Sequence, residues 1–273
     1  MALPLYDDAR LPIVPWATWA LIGVNIVVFL FLQPSLYQSG VLDGLVTPGY
    51  DAALTERLAD VERYSFRYSA IPCELDELRS VADGADCDDL GSADVDDLVV
   101  AELLPDDKNV PLSLLTSMFS HGFVAHLIFN MAFLWVFGRT VEARLGRIAY
   151  LALYLLAGVA GTYTFAVMHI DEFVALVGAS GAIAGVMGAY VVLNTRSRIA
   201  TFVPGVVTQL VYVPALVVVG MYFIGQFATP DDAVNLVAWE AHVGGMVAGA
   251  MLALPFVLSG RVRRLGGVVP TPF

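Results

Sequence analysis

The chain has 273 residues, 58% of them hydrophobic and 15% charged, with a formal net charge of −12 and a mean hydropathy of +0.73. An ordinary soluble domain holds about 45–50% apolar and about 25% charged residues, and a soluble core of this size could not bury this much apolar side chain. Disorder, a basic nucleic-acid-binding protein and a disulfide-built secreted scaffold are excluded, which leaves a polytopic membrane protein.

The charge is local. Residues 34–110 hold 18 of the 26 acids and 5 of the 14 bases, a net −13, while the rest of the chain is nearly neutral. Lysine occurs once, at Lys108.

A transmembrane helix needs about 20 apolar residues. The first such run is residues 16–32, WATWALIGVNIVVFLFL. One Arg and two Asp precede it and no small-x-small site follows, so it reads as a retained anchor and not a cleaved signal. Residues 34–110 cannot span. They contain AALTERLADVER, expected as a short helix, then an Asp-rich stretch around DGADCDDLGSADVDD. Both cysteines, Cys73 and Cys87, fall here. An oxidising exterior admits a disulfide between them, and two free thiols stay open. Two Cys with no His nearby do not make a zinc site.

Five more spans follow at about 122–138, 148–169, 180–194, 206–227 and 240–258, giving six. Six spans put both termini on one side. That side collects Arg10, the Arg139/Arg144/Arg147 loop, the Arg196/Arg198 loop and the Arg261/Arg263/Arg264 tail, nine Arg against Asp7, Asp8 and Glu142. The positive-inside rule makes it cytoplasmic and leaves the acidic segment outside. The expected organisation is residues 1–33 as N-terminus and first helix, 34–110 as external segment, 111–259 as membrane core and 260–273 as cytoplasmic tail.

The second, fourth and sixth spans carry polar residues, which at membrane depth are costly and face the bundle interior. The fourth opens GASGAIAG at 178–185, with Gly181 and Gly185 four apart. The sixth carries AHVGGMVAG at 241–249, with Gly245 and Gly249 as a GxxxG and His242 one turn earlier. Small faces let helices approach closely. If these two pack, Ser180 and His242 meet as a nucleophile–base pair. The plainer reading is helix packing, with the hydroxyl on a backbone carbonyl. The stretch is not the soluble-hydrolase G-x-S-x-G elbow, because Ala182 stands at the second Gly position. On the second span His126 and Asn130 share a helix face. Both can donate to an oxyanion, with the Ser180 N–H as a further donor; the alternative is a bond between helices. His121 reads as structural and His169 as interfacial. No acid lies inside the spans of Ser180 and His242, and Glu240 falls on another face, so a Ser–His dyad is expected.

These stretches resemble the rhomboid family of intramembrane serine proteases. HGFVAHLIFNMAFLWVFG at 121–138, the region around Arg144, GASGAIAGVMGAY at 178–190 and AHVGGMVAGA at 241–250 carry the likeness, across roughly residues 113–258. The resemblance implies an all-α, six-transmembrane-helix bundle with a long external loop after the first helix. It implies Ser180 as nucleophile, His242 as general base, and His126 and Asn130 with the Ser180 N–H around the oxyanion. The glycines of the sixth span would dock it on the fourth. Residues 228–239 would cap the site and the fifth helix would border substrate entry. Substrates would be transmembrane proteins of the same bilayer, cut near the outer end of a helix, with no cofactor, metal or nucleic acid involved. Where some relatives place a Tyr one turn after the nucleophile, this chain has Ala184, so Trp239 or Tyr222 is expected to hold the imidazole. Three competitors stand beside this reading. One is an inactive rhomboid-like protein that binds membrane proteins. Another is a metal hydrolase using His121, His126 and His242. The third is a transporter, against which the lack of an internal repeat counts.

Overall fold

The computed structural model describes residues 3–7, 11, 13–34, 50–78, 80–83, 87, 104–105, 107–170, 172–202, 211–226 and 238–263. The elements in chain order are β1 (Leu3–Asp7), α1 (Trp16–Val27, wound on as a π-helical turn over Val28–Leu32), α2 (Tyr50–Tyr68), α3 (Pro72–Glu77) and α4 (Val110–Thr116). Then come α5 (Val124–Leu145), α6 (Arg147–Met168), α7 (Ser180–Leu193), β2 (Arg198–Phe202), β3 (Val211–Pro214), α8 (Ala215–Gln226) and α9 (Trp239–Leu258). The chain is mostly helical. Among the described residues, α5, α6 and α9 are long and apolar enough to cross a membrane, while Trp16–Leu32, Val110–Phe119, Ser180–Leu193 and Ala215–Gly225 are shorter apolar helices.

Two boundaries and a sheet depart from the sequence reading. The second helix does not end at residue 138. It continues through a π-helical Leu134–Gly138 to Leu145, and Gly146 alone separates it from α6. The apolar run stops where the Arg residues begin, but basic residues suit the last turn of a helix, so the helix outlasts its hydropathy. Gly146 has φ +84°, a conformation that glycine adopts without penalty. The fifth helix starts only at Ala215, because Val211–Pro214 is a strand. That strand belongs to an antiparallel sheet in the order β1–β2–β3, which the all-α expectation lacked. Alternating β-branched residues at a span boundary look the same to a hydropathy window as the first turn of a helix. The Asp-rich stretch, most of the cap at 228–239 and the tail beyond residue 263 lie outside the described residues.

The described chain divides into two compact units. The first comprises Met1–Gly23, Val124–Thr164 and Ser180–Phe273. Its centre is α7, where every residue from Gly181 to Tyr190 is buried. A helix apolar all round belongs in an interior. The small residues of α7 let its neighbours in: a methyl on Gly185 would strike Ala157 of α6, and one on Gly188 would strike Met246 of α9. The buried Glu142 of α5 holds the start of α1. Its carboxylate accepts from the Ala17 N–H at 3.1 Å, the Thr18 N–H at 2.8 Å and the Thr18 hydroxyl at 2.8 Å. A helix N-terminus has N–H groups with no acceptor of its own and a positive dipole end, so a carboxylate fits it on both counts.

The second unit comprises Val24–Phe123 and Phe165–Ala179. Pro72 opens α3 and Leu78, at φ +51°, closes it. Glu74 and Lys108 form an ion pair whose side chains are both buried, and Glu74 also accepts from the Val81 N–H at 3.1 Å. Burial holds the Lys108 ammonium below the usual lysine pKa, against the pull of the Glu74 carboxylate. The Asn109 side chain caps α4 by accepting from the Leu112 N–H at 3.0 Å. Cys73 and Cys87, left open by the sequence, are disulfide-bonded, with Cα atoms 5.5 Å apart.

Candidate active site

The four expected site residues all fall in the first unit. Ser180 is the first residue of α7, where the first N–H groups have no acceptor within the helix. Two residues earlier Gly178 has φ +127°, which turns the chain sharply into the helix. His242 lies in the opening turns of α9 and is 5% exposed.

Glycine sets the approach of α7 to α9. A methyl on Gly181 would sit 3.5 Å from the Ala241 carbonyl oxygen. Methyls on Gly245 and Gly249 would run into the carbonyls of Gly181 and Gly185. Backbone thus lies directly on backbone. Gly181, the residue after Ser180, thus lies against Ala241, the residue before His242.

On α5, His126 is half-buried and Asn130 is 7% exposed, one turn apart on one face. The Asn130 Nδ2 is buried with no hydrogen-bond partner among the described residues. A buried donor left unpaired costs about 1–3 kcal/mol, so such a group in a native fold calls for a reason, and a ligand oxygen is one.

Of the two aromatics considered for the imidazole, Tyr222 is placed beside it, with ring centroids 6.0 Å apart and planes tilted by 46°. Tyr222 rests in turn on Phe133 at 5.1 Å, Phe133 stacks on Phe137 at 6.0 Å, and Phe137 meets Tyr190 edge-on at 5.1 Å. This ladder runs through α9, α8, α5 and α7. Sequence reading missed Phe133 as a support, although its place seven residues after His126, on the same helix face, was the signal available.

The other histidines are engaged elsewhere. The backbone of His121 is bracketed by the Gln33 side chain, which donates to its carbonyl at 2.6 Å and accepts from its N–H at 3.0 Å. His169 stacks on Phe165 at 4.3 Å and places Nδ1 2.9 Å from Glu172. Among the described residues no three His, Cys, Asp or Glu side chains form a group that could hold a metal ion.

The family model of the rhomboid domain matches residues 108–259, more than half of the chain. The chain belongs to the rhomboid family. Its rhomboid domain contains Ser180, His242, His126 and Asn130, whereas Cys73 and Cys87 precede it. The chain is similar to the rhomboid protease GluP of Bacillus subtilis, 33% identical over 148 residues that make up 52% of this chain and 26% of that protein. It is similar to presenilin-associated rhomboid-like protein A, mitochondrial, of Danio rerio, 29% identical over 150 residues, 53% of this chain and 37% of the relative. RHOMBOID-like protein 6, mitochondrial, of Arabidopsis thaliana is 28% identical over 148 residues, 53% of this chain and 43% of the relative. The chain spans less than half the length of each of these proteins.

Proposed function

We propose that this chain is an intramembrane serine endopeptidase that cuts transmembrane protein substrates near the external end of a helix. The observation that carries the reading is the glycine-set contact of α7 with α9, in which Gly181, next to Ser180, lies against Ala241, next to His242. The unpaired Asn130 Nδ2 supports it, and so does the similarity to a relative named as a rhomboid protease.

In this mechanism His242 takes the proton of Ser180 as Oγ attacks the scissile carbonyl carbon. The oxyanion of the tetrahedral intermediate accepts from the Ser180 N–H, the Asn130 amide and His126. The positive end of α7 adds to this stabilisation. On collapse His242 protonates the leaving amine. Water, deprotonated by His242, then hydrolyses the acyl-enzyme and restores Ser180. Tyr222, backed by Phe133, orients the imidazole where a triad would use a carboxylate.

Residues 111–259 form the catalytic core of a six-span bundle in this reading. Both termini are cytoplasmic and residues 34–110 lie outside, so water reaches Ser180 from the external face. The test is cleavage of a reconstituted single-span substrate in liposomes. Wild type cuts with or without a chelator, and Ser180→Ala and His242→Ala do not. Cleavage abolished by the chelator would favour a metal hydrolase. A folded wild type that binds the substrate without cutting it would favour a non-catalytic rhomboid-like protein.

A further inference from the structure

The residues that lead into Ser180 are gripped from upstream of the rhomboid domain. Phe173 packs in a cluster with Phe66, Ile71, Val81 and the Cys73–Cys87 disulfide, its ring 5.2 Å from that of Phe66. Three residues on, Leu176 exchanges two backbone hydrogen bonds with Ala70, at 3.2 and 2.9 Å. The Leu176 side chain also packs on the cluster of Ala70, Leu75, Val110 and Ala166. The Gly178 N–H then donates to the Ser117 carbonyl at 2.9 Å. Three of the seven residues before Ser180 are therefore held, and the chain passes directly from the last of them into α7. The partners of Phe173 and the bridge partner of Leu176 lie between residues 66 and 87, ahead of the family match at 108–259. They lie outside the matched domain.

We infer that this disulfide-closed clasp positions Ser180, and that opening Cys73–Cys87 slows its acylation. The inference rests on the proposed role of Ser180 as nucleophile. Cys73 stands three residues after Ala70, so the cross-link to Cys87 restrains both the cluster around Phe173 and the partner strand of Leu176. A dithiol reductant opens it by passing two electrons and two protons to the pair. Two thiols remain on the protein and the reductant closes its own disulfide. The loop between the cysteines then regains its conformational freedom, and holding Ala70 opposite Leu176 becomes entropically more costly. A nucleophile displaced by about 1 Å can lose on the order of a hundredfold in rate.

The test is the rate of fluorophosphonate labelling of the full chain in liposomes, before and after dithiothreitol, with thiol alkylation to report the state of the cysteines. Reduction is expected to lower the labelling rate constant by on the order of ten- to a hundredfold at unchanged final labelling, and reoxidation to restore it. Cys73→Ser should be slow with or without reductant. Phe173→Ala should be slow in the oxidised protein, and Phe173→Leu should recover most of the rate. A fully reduced protein that labels at the oxidised rate overturns the inference, as do free thiols in the protein as isolated or a Phe173→Ala variant with the wild-type rate. Lower final labelling at an unchanged rate also overturns it, because the disulfide would then only hold the fold. An oxidised wild type that never labels overturns the nucleophile role itself, and the inference with it.

Discussion

The two units of this protein are held together by different means. Around α7 the adhesive is the absence of side chains: Gly181, Gly185, Gly245 and Gly249 bring backbone against backbone, and the embedded carboxylate of Glu142 is consumed in capping α1. The unit that contains α2 to α4 uses a disulfide, a buried Glu74–Lys108 pair, a capped helix and small apolar clusters. In lipid there is no water to drive helices together, so close packing takes over. A short polar segment with few large apolar residues instead needs cross-links and paired charges. A side chain added at a glycine contact of the first unit should therefore do harm, while in the second it is removal of a partner that should.

The largest effects should come from the chemistry that the close packing sets up. Ser180→Ala and His242→Ala are each expected to lower substrate cleavage by on the order of ten-thousandfold, measured as kcat/KM in liposomes, with no loss of folded protein. Asn130→Ala should lower kcat by on the order of ten- to a thousandfold and leave KM and stability nearly unchanged, because its Nδ2 makes no hydrogen bond among the described residues.

Stability sharpens the contrast. Gly249→Ala forces a methyl into the Gly185 backbone and should cost about 3 kcal/mol in reversible detergent unfolding. Gly220→Ala, where nothing lies within 4 Å of the added methyl, should instead be neutral or stabilise by up to about 1 kcal/mol. Equal effects at these two positions would remove the case for backbone contact. In the other unit, Cys73→Ser should cost about 3 kcal/mol, as expected for opening a loop of 14 residues. The smallest effect is expected from Arg67→Ala. Its Nη2 donates to both carboxylate oxygens of Asp107 at 2.6 Å in a solvent-exposed contact, and the loss should stay below about 0.5 kcal/mol.

Much of this was legible in the sequence, for reasons that also explain what was not. Apolar runs placed α1, α6, α7 and α9 within a residue or two, because burial in lipid demands a continuous stretch. The glycines of α7 and α9 were legible as a packing pair because their four-residue spacing has no other ready use. The sheet was hidden because Val211–Pro214 merges with the apolar run of α8. The state of Cys73 and Cys87 was undecided because sequence spacing does not fix a Cα separation. The bridge of Ala70 to Leu176 joins residues far apart in the chain, whose types carry no pairing signal. Tyr222 could be named as a partner for His242, but its place 6.0 Å from the imidazole is set by tertiary packing that the sequence does not carry.

The central claim is that Ser180 is an activated nucleophile, and the most direct measurement is to map the site of fluorophosphonate modification on the folded wild-type protein by peptide mass spectrometry. A single adduct is expected on Ser180, and it disappears in His242→Ala. An adduct on another serine, or none on a folded and membrane-reconstituted chain, would contradict it.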